Sequence, residues 1–204
     1  MDIDFLKFNP KDANLEIFGF DKYVIFTENP DDVDNDFLKG YLIKPKDVKD
    51  LKKKLSLAKR KWIVGVLSDK PEINMEAIMR KKVDVILDSE ERRIDYTAIK
   101  LAPEKDVIIE ICLSKFLTAK GAKRARLIDE TIKILEVVKK FDAPFVITSG
   151  ARDFYELRPK KQIYEFFSFM GADLNKSRNF ALNLYKKYAD PNYIMDGLEI
   201  IGKC

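Results

Sequence analysis

The sequence contains no histidine and only two cysteines, Cys112 and Cys204. Histidine is the usual general base near neutral pH and the most common ligand of catalytic zinc or iron. Its absence excludes a Ser-His-Asp triad, a Cys-His dyad and a His-rich di-metal centre, whereas carboxylate-only Mg²⁺ chemistry and lysine chemistry remain open. Two cysteines without a CxxC pair do not make a disulfide framework. Cys112 lies in an apolar run, where we expect it to act as a small hydrophobic residue.

Long apolar runs are absent as well. No run approaches the roughly 20 residues that a membrane-spanning helix needs, and the first residues are acidic where a signal peptide has a basic region. We therefore expect a cytoplasmic protein that does not bind membranes. With 204 residues, of which 46% are hydrophobic and 35% charged, the chain is expected to form one folded domain over 1–204.

The charge is distributed unevenly along the chain. The net charge is +4, but residues 1–40 carry 4 basic and 10 acidic residues, so the rest carries 34 basic and 24 acidic residues, a net charge of +10. An acidic edge and a basic body suit a polyanionic partner. Composition alone, however, favours an ordinary charged surface.

Short apolar runs alternate with helical patterns along most of the chain. The expected strands are 23–26, 41–43, 62–67, 83–87, 107–112 and 145–148, and the chain ends near 3–5 and 193–201 could add more. The expected helices are 46–60, 71–81, 95–102, 121–141, 160–170 and 173–188. The helix 121–141 is expected to bury Ala125, Ile128, Ile132, Leu135 and Val138.

Six βα units without a break in composition predict an α/β fold with a parallel sheet. The leading architecture is a single TIM-like βα barrel that is irregular or short of eight regular units. A doubly wound open sheet is the alternative.

A first basic segment, 113–126, follows a predicted strand, where a parallel barrel collects its functional loops. It contains Lys115, Lys120, Lys123, Arg124 and Arg126 and no acidic residue. Several of these cations fall in the first turns of the helix 121–141, where the helix dipole favours anions, so a bound anion would relieve the conflict. The alternative is a solvated loop relieved by Asp129 and Glu130, with Arg126 and Glu130 as an i,i+4 pair.

A second basic segment, 149–161, follows the strand 145–148. It opens with small residues that allow a tight turn and continues with Arg152, Arg158 and Lys160. Such a turn can cradle phosphate, and arginine adds a planar fork of donors. No glycine-rich fingerprint is present, and Arg158 could instead pair with Asp153 or Glu156. The run 90–93 carries little weight because its charges cancel, and 52–54 and 59–61 are expected to be solvated.

Taken together, these segments resemble the ribonuclease P protein component 3 family of archaea, the counterpart of the thirty-kilodalton subunit shared by eukaryotic ribonuclease P and MRP. The resemblance rests on short matches in family order over roughly 62–172. They are 83–86 (VDVI), 94–96 (IDY), 101–102 (LA), 109–111 (IEI), 120–126 (KGAKRAR) and 147–152 (ITSGAR) with 157–159 (LRP).

The resemblance implies a TIM-like barrel related to the PHP metal-dependent phosphoesterases. Histidines help to bind the metals in that superfamily, so a chain without histidine is not expected to have inherited this chemistry. Tyr96 also stands where members of the resembled family often carry histidine.

The resemblance further implies a ribonucleoprotein that removes the 5′ leader from precursor tRNA. Its RNA performs the cleavage with Mg²⁺ at the RNA active site, so we expect no catalytic residue, metal or cofactor in this chain and no activity of the isolated chain. The expected partners are ribonuclease P RNA, precursor tRNA indirectly, and a small ferredoxin-like ribonuclease P subunit in a heterotetramer with two copies of each. The residues expected to bind RNA phosphates are Lys115, Lys120, Lys123, Arg124, Arg126, Arg152, Arg158 and Lys160.

Two other functions remain open from the residues. A free-standing phosphate-binding barrel enzyme would use Glu110, Asp84 or Lys115 as acid, base or Schiff-base former. A protein-only scaffold would bind a partner through the acidic edge 28–36 or the aromatic helix 160–170.

Overall fold

The computed structural model describes residues 1–11, 13–190, 193–195 and 198–199. Seven strands pair in chain order, and each of their ladders is parallel. They are β1 (Ile3–Leu6), β2 (Lys22–Thr27), β3 (Leu38–Ile43), β4 (Ile63–Val66), β5 (Val85–Ile86), β6 (Ile108–Cys112) and β7 (Phe145–Thr148). The α-helices are α1 (Val48–Leu57), α2 (Pro71–Ile78), α3 (Tyr96–Lys105), α4 (Ser114–Thr118), α5 (Gly121–Phe141), α6 (Lys160–Phe169) and α7 (Leu174–Ala189).

The strands are apolar on both faces because both faces are covered, one by the helices and one by the barrel interior. In the interior, the rings of Phe5 and Phe26 pack edge to face with their centroids 5.3 Å apart. A Cβ atom at Gly40 or Gly65 would lie 2.6 Å from the Phe26 ring, so the two glycines leave the space that the ring fills. Close packing of this kind makes the interior a solid core rather than a channel.

The seam between β1 and β7 is closed by side chains, since no backbone ladder between these two strands is described. The two carboxylate oxygens of Asp4 in β1 accept hydrogen bonds from the backbone N and the Oγ of Ser149, both at 2.6 Å. One backbone bond, from Lys7 N to the Ala151 carbonyl oxygen at 2.7 Å, lies just beyond the strands. The barrel is therefore nearly closed, and a buried carboxylate joins its first and last strands.

Helix α7 covers the N-terminal end of the barrel. Ala181 and Leu184 pack with the interior residues. Lys187 and Tyr188 bind the buried carboxylate of Asp84, which immediately precedes β5, at 2.9 and 2.7 Å. The opposite, C-terminal end of the strands is left to the connecting loops.

The α/β barrel expected from the sequence is confirmed, with seven strands instead of eight. A doubly wound sheet is wrong, because strand order follows chain order without the reversal that such a sheet requires. All six expected strands are present, and the chain start adds β1. The residues Tyr193–Met195 and Leu198–Glu199, β8 and β9, form a separate antiparallel pair rather than barrel strands. The remainder of the expected strand 193–201 lies outside the described residues.

Helix α5 has the expected bounds but a different buried face. Its buried residues are Leu127, Thr131, Leu135 and Val138. The expected burial of Leu135 and Val138 is confirmed. It is wrong for Ala125, which is exposed, and Ile128 and Ile132 are only half-buried, so the first half of the stripe is displaced by part of a turn. In the described part of the chain, no helix has the length and apolar character needed to cross a bilayer.

The seam makes stability depend on pH. Burial raises the pKa of Asp4 to about 7, partly offset by its bonds to Ser149, and Glu110 adds repulsion. Because the pKa of Asp4 in the unfolded chain is near 3.8, the folded protein holds a proton that the unfolded chain releases. The contribution of Asp4 to stability therefore falls as pH rises from about 4 to about 7.

We expect Asp4→Asn, which keeps the shape without the charge, to reduce the loss of melting temperature over this range. The exposed Asp36→Asn serves as a control, and an unchanged decline in Asp4→Asn would contradict the assignment.

Candidate functional site

Four loops follow β5, β6, β7 and β1 and lie side by side at the C-terminal end of the barrel. Neighbouring parallel strands bring their following loops together, and β1 packs against β7. Beneath these loops lies a buried cluster of charged residues, called here the ion-pair cluster. Its members are Lys7, Asp88, Arg92, Glu110 and Lys115, with side chains between 0% and 4% exposed.

Asp88 is one centre of the ion-pair cluster. It directly follows β5, and its oxygens lie 2.8 Å from Lys115 Nζ and 3.1 Å from Arg92 Nη2. The backbone N of Cys112 in β6 also donates to it at 3.0 Å. Burial alone acts to raise the pKa of Asp88, but the cations of Arg92 and Lys115 outweigh it and hold the pKa below the ordinary value. The carboxylate therefore stays ionised and links the loop that follows β5 to the end of β6 and the loop that follows it.

Glu110 is the second centre of the ion-pair cluster. Its carboxylate receives Lys7 Nζ at 2.9 Å, Thr148 Oγ1 at 2.7 Å and the backbone N of Asp88 at 2.6 Å. Arg92 Nη1 binds the backbone carbonyl of the same residue at 2.6 Å. Each oxygen of this fully buried carboxylate is thus bonded to a neighbour in the structure.

The ion-pair cluster lies at the C-terminal end of the strands, where parallel barrels hold their active sites, and its residues do not fit a metal ion. The carboxylates of Asp88 and Glu110 already face ammonium and guanidinium groups, which repel cations. Among the described residues, no group of three or more potential His, Cys, Asp or Glu ligands is placed to hold a metal. The arrangement fixes the positions of the loops, because its carboxylates are paired with cations from neighbouring segments.

The expectation that Lys115 binds RNA is corrected by this geometry. Its side chain is 4% exposed and its Nζ lies 2.8 Å from Asp88, so an external phosphate does not reach it. The sequence showed a lysine in a basic loop, but α4 turns this lysine inward because Asp88 is there to neutralise it. Lys115 is therefore removed from the candidate contacts.

The residues of the alternative enzyme hypothesis are not assembled into one site. Glu110 and Lys115 lie in the ion-pair cluster, each with partners of opposite charge. Asp84 lies at the opposite end of the barrel, bound to Lys187, Tyr188 and the backbone N of Val64. Asp84 therefore does not share a site with Glu110 or Lys115.

The two basic segments meet above the ion-pair cluster, through Glu90. One oxygen of Glu90 lies 2.6 Å from Lys123 Nζ, and the other lies 3.9 Å from Arg152 Nη2. Thr118 also hydrogen-bonds to Glu90. The hydrogen bonds from Lys123 and Thr118 lower the pKa of Glu90. The segments 113–126 and 149–161 therefore form one surface, called here the basic rim.

Four of the cations predicted to bind RNA are paired, at the basic rim, with carboxylates of the same chain. The pairs are Lys123 with Glu90 and Glu91 at 2.6 and 3.0 Å, Arg126 with Glu130 at 3.4 Å, Arg152 with Glu156 at 2.6 Å and Lys160 with Asp2 at 2.6 Å. The expected i,i+4 pair of Arg126 and Glu130 is confirmed. The suggested partner Glu156 binds Arg152 rather than Arg158.

Three predicted cations, Lys120, Arg124 and Arg158, have no carboxylate within ion-pair distance in the described ranges of the chain. Lys120 is the exposed N-cap of α5. Arg124 Nε donates to the Ala119 carbonyl at 2.7 Å, and Arg158 Nη1 donates to the carbonyls of Tyr155 and Leu157 at 2.8 and 2.6 Å. Their charges are therefore not compensated by a carboxylate among the described residues.

Local backbone geometry places these cations. Gly121 opens α5 with φ of +52°, and no acidic residue occupies the first turn, so the positive end of the helix dipole is left to an external anion. Gly150 has φ of +58°, and a Cβ there would lie 2.4 Å from Cys112 Cβ. Only glycine lets the chain pass this close to β6 before Arg152.

Sequence reasoning missed the contribution of the segment 88–93. Its charges cancel in the sequence, yet Arg92 belongs to the ion-pair cluster and Glu90 joins the two basic segments. Lys7 was missed as well, although it is the partner of Glu110. Its one local signal was a lone lysine directly after an apolar strand.

The fold and the site define an α/β barrel protein in which a cluster of buried ion pairs lies beneath a basic surface. The family model for ribonuclease P subunit p30 matches residues 14–187. The ribonuclease P protein component 3 of Archaeoglobus fulgidus is 45% identical over 197 residues, covering 97% of this chain and 94% of that protein. The protein of the same name from Methanosarcina mazei is 25% identical over 137 residues, covering 63% and 57%.

A solved structure is similar over the whole fold. It is a chain from the cryo-EM structure of archaeal ribonuclease P with mature tRNA, with a TM-score of 0.77 and 21% identity over 98% of both chains. The chain described here belongs to the ribonuclease P p30 subunit family, and the resemblance seen in the sequence is confirmed.

The ion-pair cluster predicts that two lysines of one segment differ in their effect on the free energy of unfolding. Lys115→Ala leaves Asp88 buried beside Arg92 alone, and removing one partner of a buried pair costs about 3 kcal/mol or more of the free energy of unfolding. Lys120→Ala removes an exposed, unpaired lysine and should leave stability unchanged. Urea unfolding of both variants measures the difference. Equal stability of the two variants would contradict the structural role of Lys115.

Proposed function

We propose that this chain acts as a protein subunit of ribonuclease P and supports the RNA that removes the 5′ leader from precursor tRNA. The observation that carries the proposal is the basic rim, in which Lys120, Arg124 and Arg158 stand without carboxylate partners in a chain of the p30 family. Phosphates of folded RNA are anions of the spacing and number that such a surface binds.

The ion-pair cluster prepares the basic rim for this contact. Because Asp88 and Glu110 tie together the loops that follow β1, β5, β6 and β7, the exposed cations are held in place before RNA arrives. Preorganised groups lose less conformational entropy on binding. The cations neutralise phosphate charge where RNA helices crowd together, which lowers the Mg²⁺ that the RNA needs to fold.

The paired cations Lys123, Arg126, Arg152 and Lys160 act more weakly in this proposal. A phosphate has to displace a carboxylate of the protein to bind them directly. The energetic gain of each exchange is small, since one anion replaces another. Their role is to keep the surface potential positive around the three uncompensated cations.

The partners of the proposed complex follow from the family. They are ribonuclease P RNA, precursor tRNA indirectly, and a small ferredoxin-like subunit in a heterotetramer with two copies of each chain. Mg²⁺ acts at the active site of the RNA, and the isolated protein chain does not cleave precursor tRNA. The proposed location is the cytoplasm.

Removal of the uncompensated cations tests the proposal in the reconstituted holoenzyme. We expect Lys120→Ala combined with Arg124→Ala to raise the Mg²⁺ concentration at half-maximal precursor-tRNA cleavage. The slope of log binding constant against log salt should also become shallower by about one unit for each phosphate that the variant no longer binds. Gel-based cleavage at graded Mg²⁺ and binding at graded salt measure the two effects.

Lys133→Ala provides the matched control for the single variant Lys120→Ala, which is measured beside the double variant. Lys133 is an exposed lysine of the same helix that pairs with Asp129 at 2.7 Å, away from the α5 N-terminus. Its removal changes net charge by the same amount as Lys120→Ala. If the control and the Lys120 variant shift the Mg²⁺ requirement equally, overall charge rather than the basic rim carries the effect and the assignment is wrong.

A further inference from the structure

An exposed aromatic pair stands at the edge of the basic rim, in the 3-10 turn Phe154–Glu156. Tyr155 is 87% exposed and Phe154 is 47% exposed, and Ile17, in the turn that carries Phe18, is 68% exposed. A lone exposed aromatic residue is ordinary. Two consecutive exposed aromatic residues beside a surface of uncompensated cations indicate a binding site for a partner with a flat face.

The backbone beneath Tyr155 is fixed. The carboxylate of Asp153 caps the turn by accepting from the backbone N of Glu156 at 3.1 Å. The ring of Phe154 packs edge to face on Phe18, with centroids 6.0 Å apart. Tyr155 is therefore presented to solvent from an ordered turn, which reduces the entropy lost when a flat group stacks on it.

Arg158 is fastened to the same turn. Its Nη1 donates to the carbonyl oxygens of Tyr155 and Leu157, at 2.8 and 2.6 Å, and no carboxylate within the described residues pairs with it. The hydrogen bonds to Tyr155 and Leu157 thus hold the uncompensated guanidinium of Arg158 on the turn that carries the exposed ring of Tyr155. A nucleotide has the matching pair of features, because a flat base is joined to an anionic phosphate.

We propose that Tyr155 stacks on an unpaired base of RNA while Arg158 binds a neighbouring phosphate. The inference rests on the proposed function and assigns to the basic rim a contact with single-stranded RNA. Stacking on an aromatic ring tolerates any base, since every base has a flat π face. RNA is favoured over a protein partner because the apolar surface is bordered by unpaired positive charge.

Phe169 offers an internal comparison. It is 91% exposed at the end of α6, so it shows as much ring as Tyr155. No arginine is hydrogen-bonded to the backbone of its turn within the described parts of the chain. Phe169→Ala therefore removes an equally accessible ring without removing the proposed pair of features.

The test uses the full chain and two RNA probes of equal length and charge, oligoadenylate and a strand with abasic residues. The two strands present the same phosphates, so the ratio of their affinities reports base stacking alone. We expect the wild-type chain to bind oligoadenylate roughly 5- to 100-fold more tightly. This preference should disappear in Tyr155→Ala and persist in Tyr155→Phe and Phe169→Ala. Arg158→Ala should weaken the binding of both strands and make the slope of log binding constant against log salt shallower.

The outcomes separate the two proposals. Equal affinity of the wild-type chain for both strands, or a preference that survives Tyr155→Ala, overturns the stacking while phosphate binding by the basic rim stands. Failure to bind either strand counts against the proposed RNA binding itself, and the stacking fails with it. A Tyr155→Ala variant that keeps the preference but no longer associates with the other protein subunits assigns the patch to protein. Thermal unfolding of each variant excludes misfolding as the cause.

Discussion

The ion-pair cluster is the constraint on which the upper half of the barrel depends. Charges in a protein interior are costly unless they are paired and hydrogen-bonded, and here each carboxylate is shared by residues from different loops. Asp88 joins Lys115 and Arg92, and Glu110 joins Lys7. Because Lys115 and Lys7 lie on other βα units than their carboxylates, neutralising these charges also fixes the relative positions of those units.

This constraint divides the cations of the chain into two kinds. Lys115 and Lys120 are five positions apart in one basic segment, yet one is enclosed by Asp88 and the other is fully available to solvent. The buried lysine fixes the position of the loop, and the exposed lysine is the one that a binding partner can contact. A surface built in this way holds its exposed cations on a fixed base, and this is the feature on which the proposed RNA contact rests.

Local signals made most of the fold predictable. Apolar runs located the strands, and α5 begins at Gly121 and ends at Phe141, before Pro144, at the bounds expected from the sequence. The direction of side chains was less predictable: the buried face of α5 depends on packing against α3, and Lys115 turns inward because of an acid 27 positions earlier. Lys7 and Glu110 are farther apart still. Pairings over such separations are set by topology, which local patterns of charge do not contain.

Glu90 shows why net charge is a poor guide to this surface. Its carboxylate holds the two basic segments together through Lys123 and Arg152, and it also cancels part of their charge. Removing it would add positive charge but release the segments from each other. The added charge would strengthen binding, because each phosphate bound releases counterions. The added flexibility would weaken binding, because more conformational entropy is lost. In this proposal, the affinity of the basic rim for RNA depends on the few cations that are left uncompensated and on the rigid base that holds them. It does not depend on the net charge of +4 that the sequence carries.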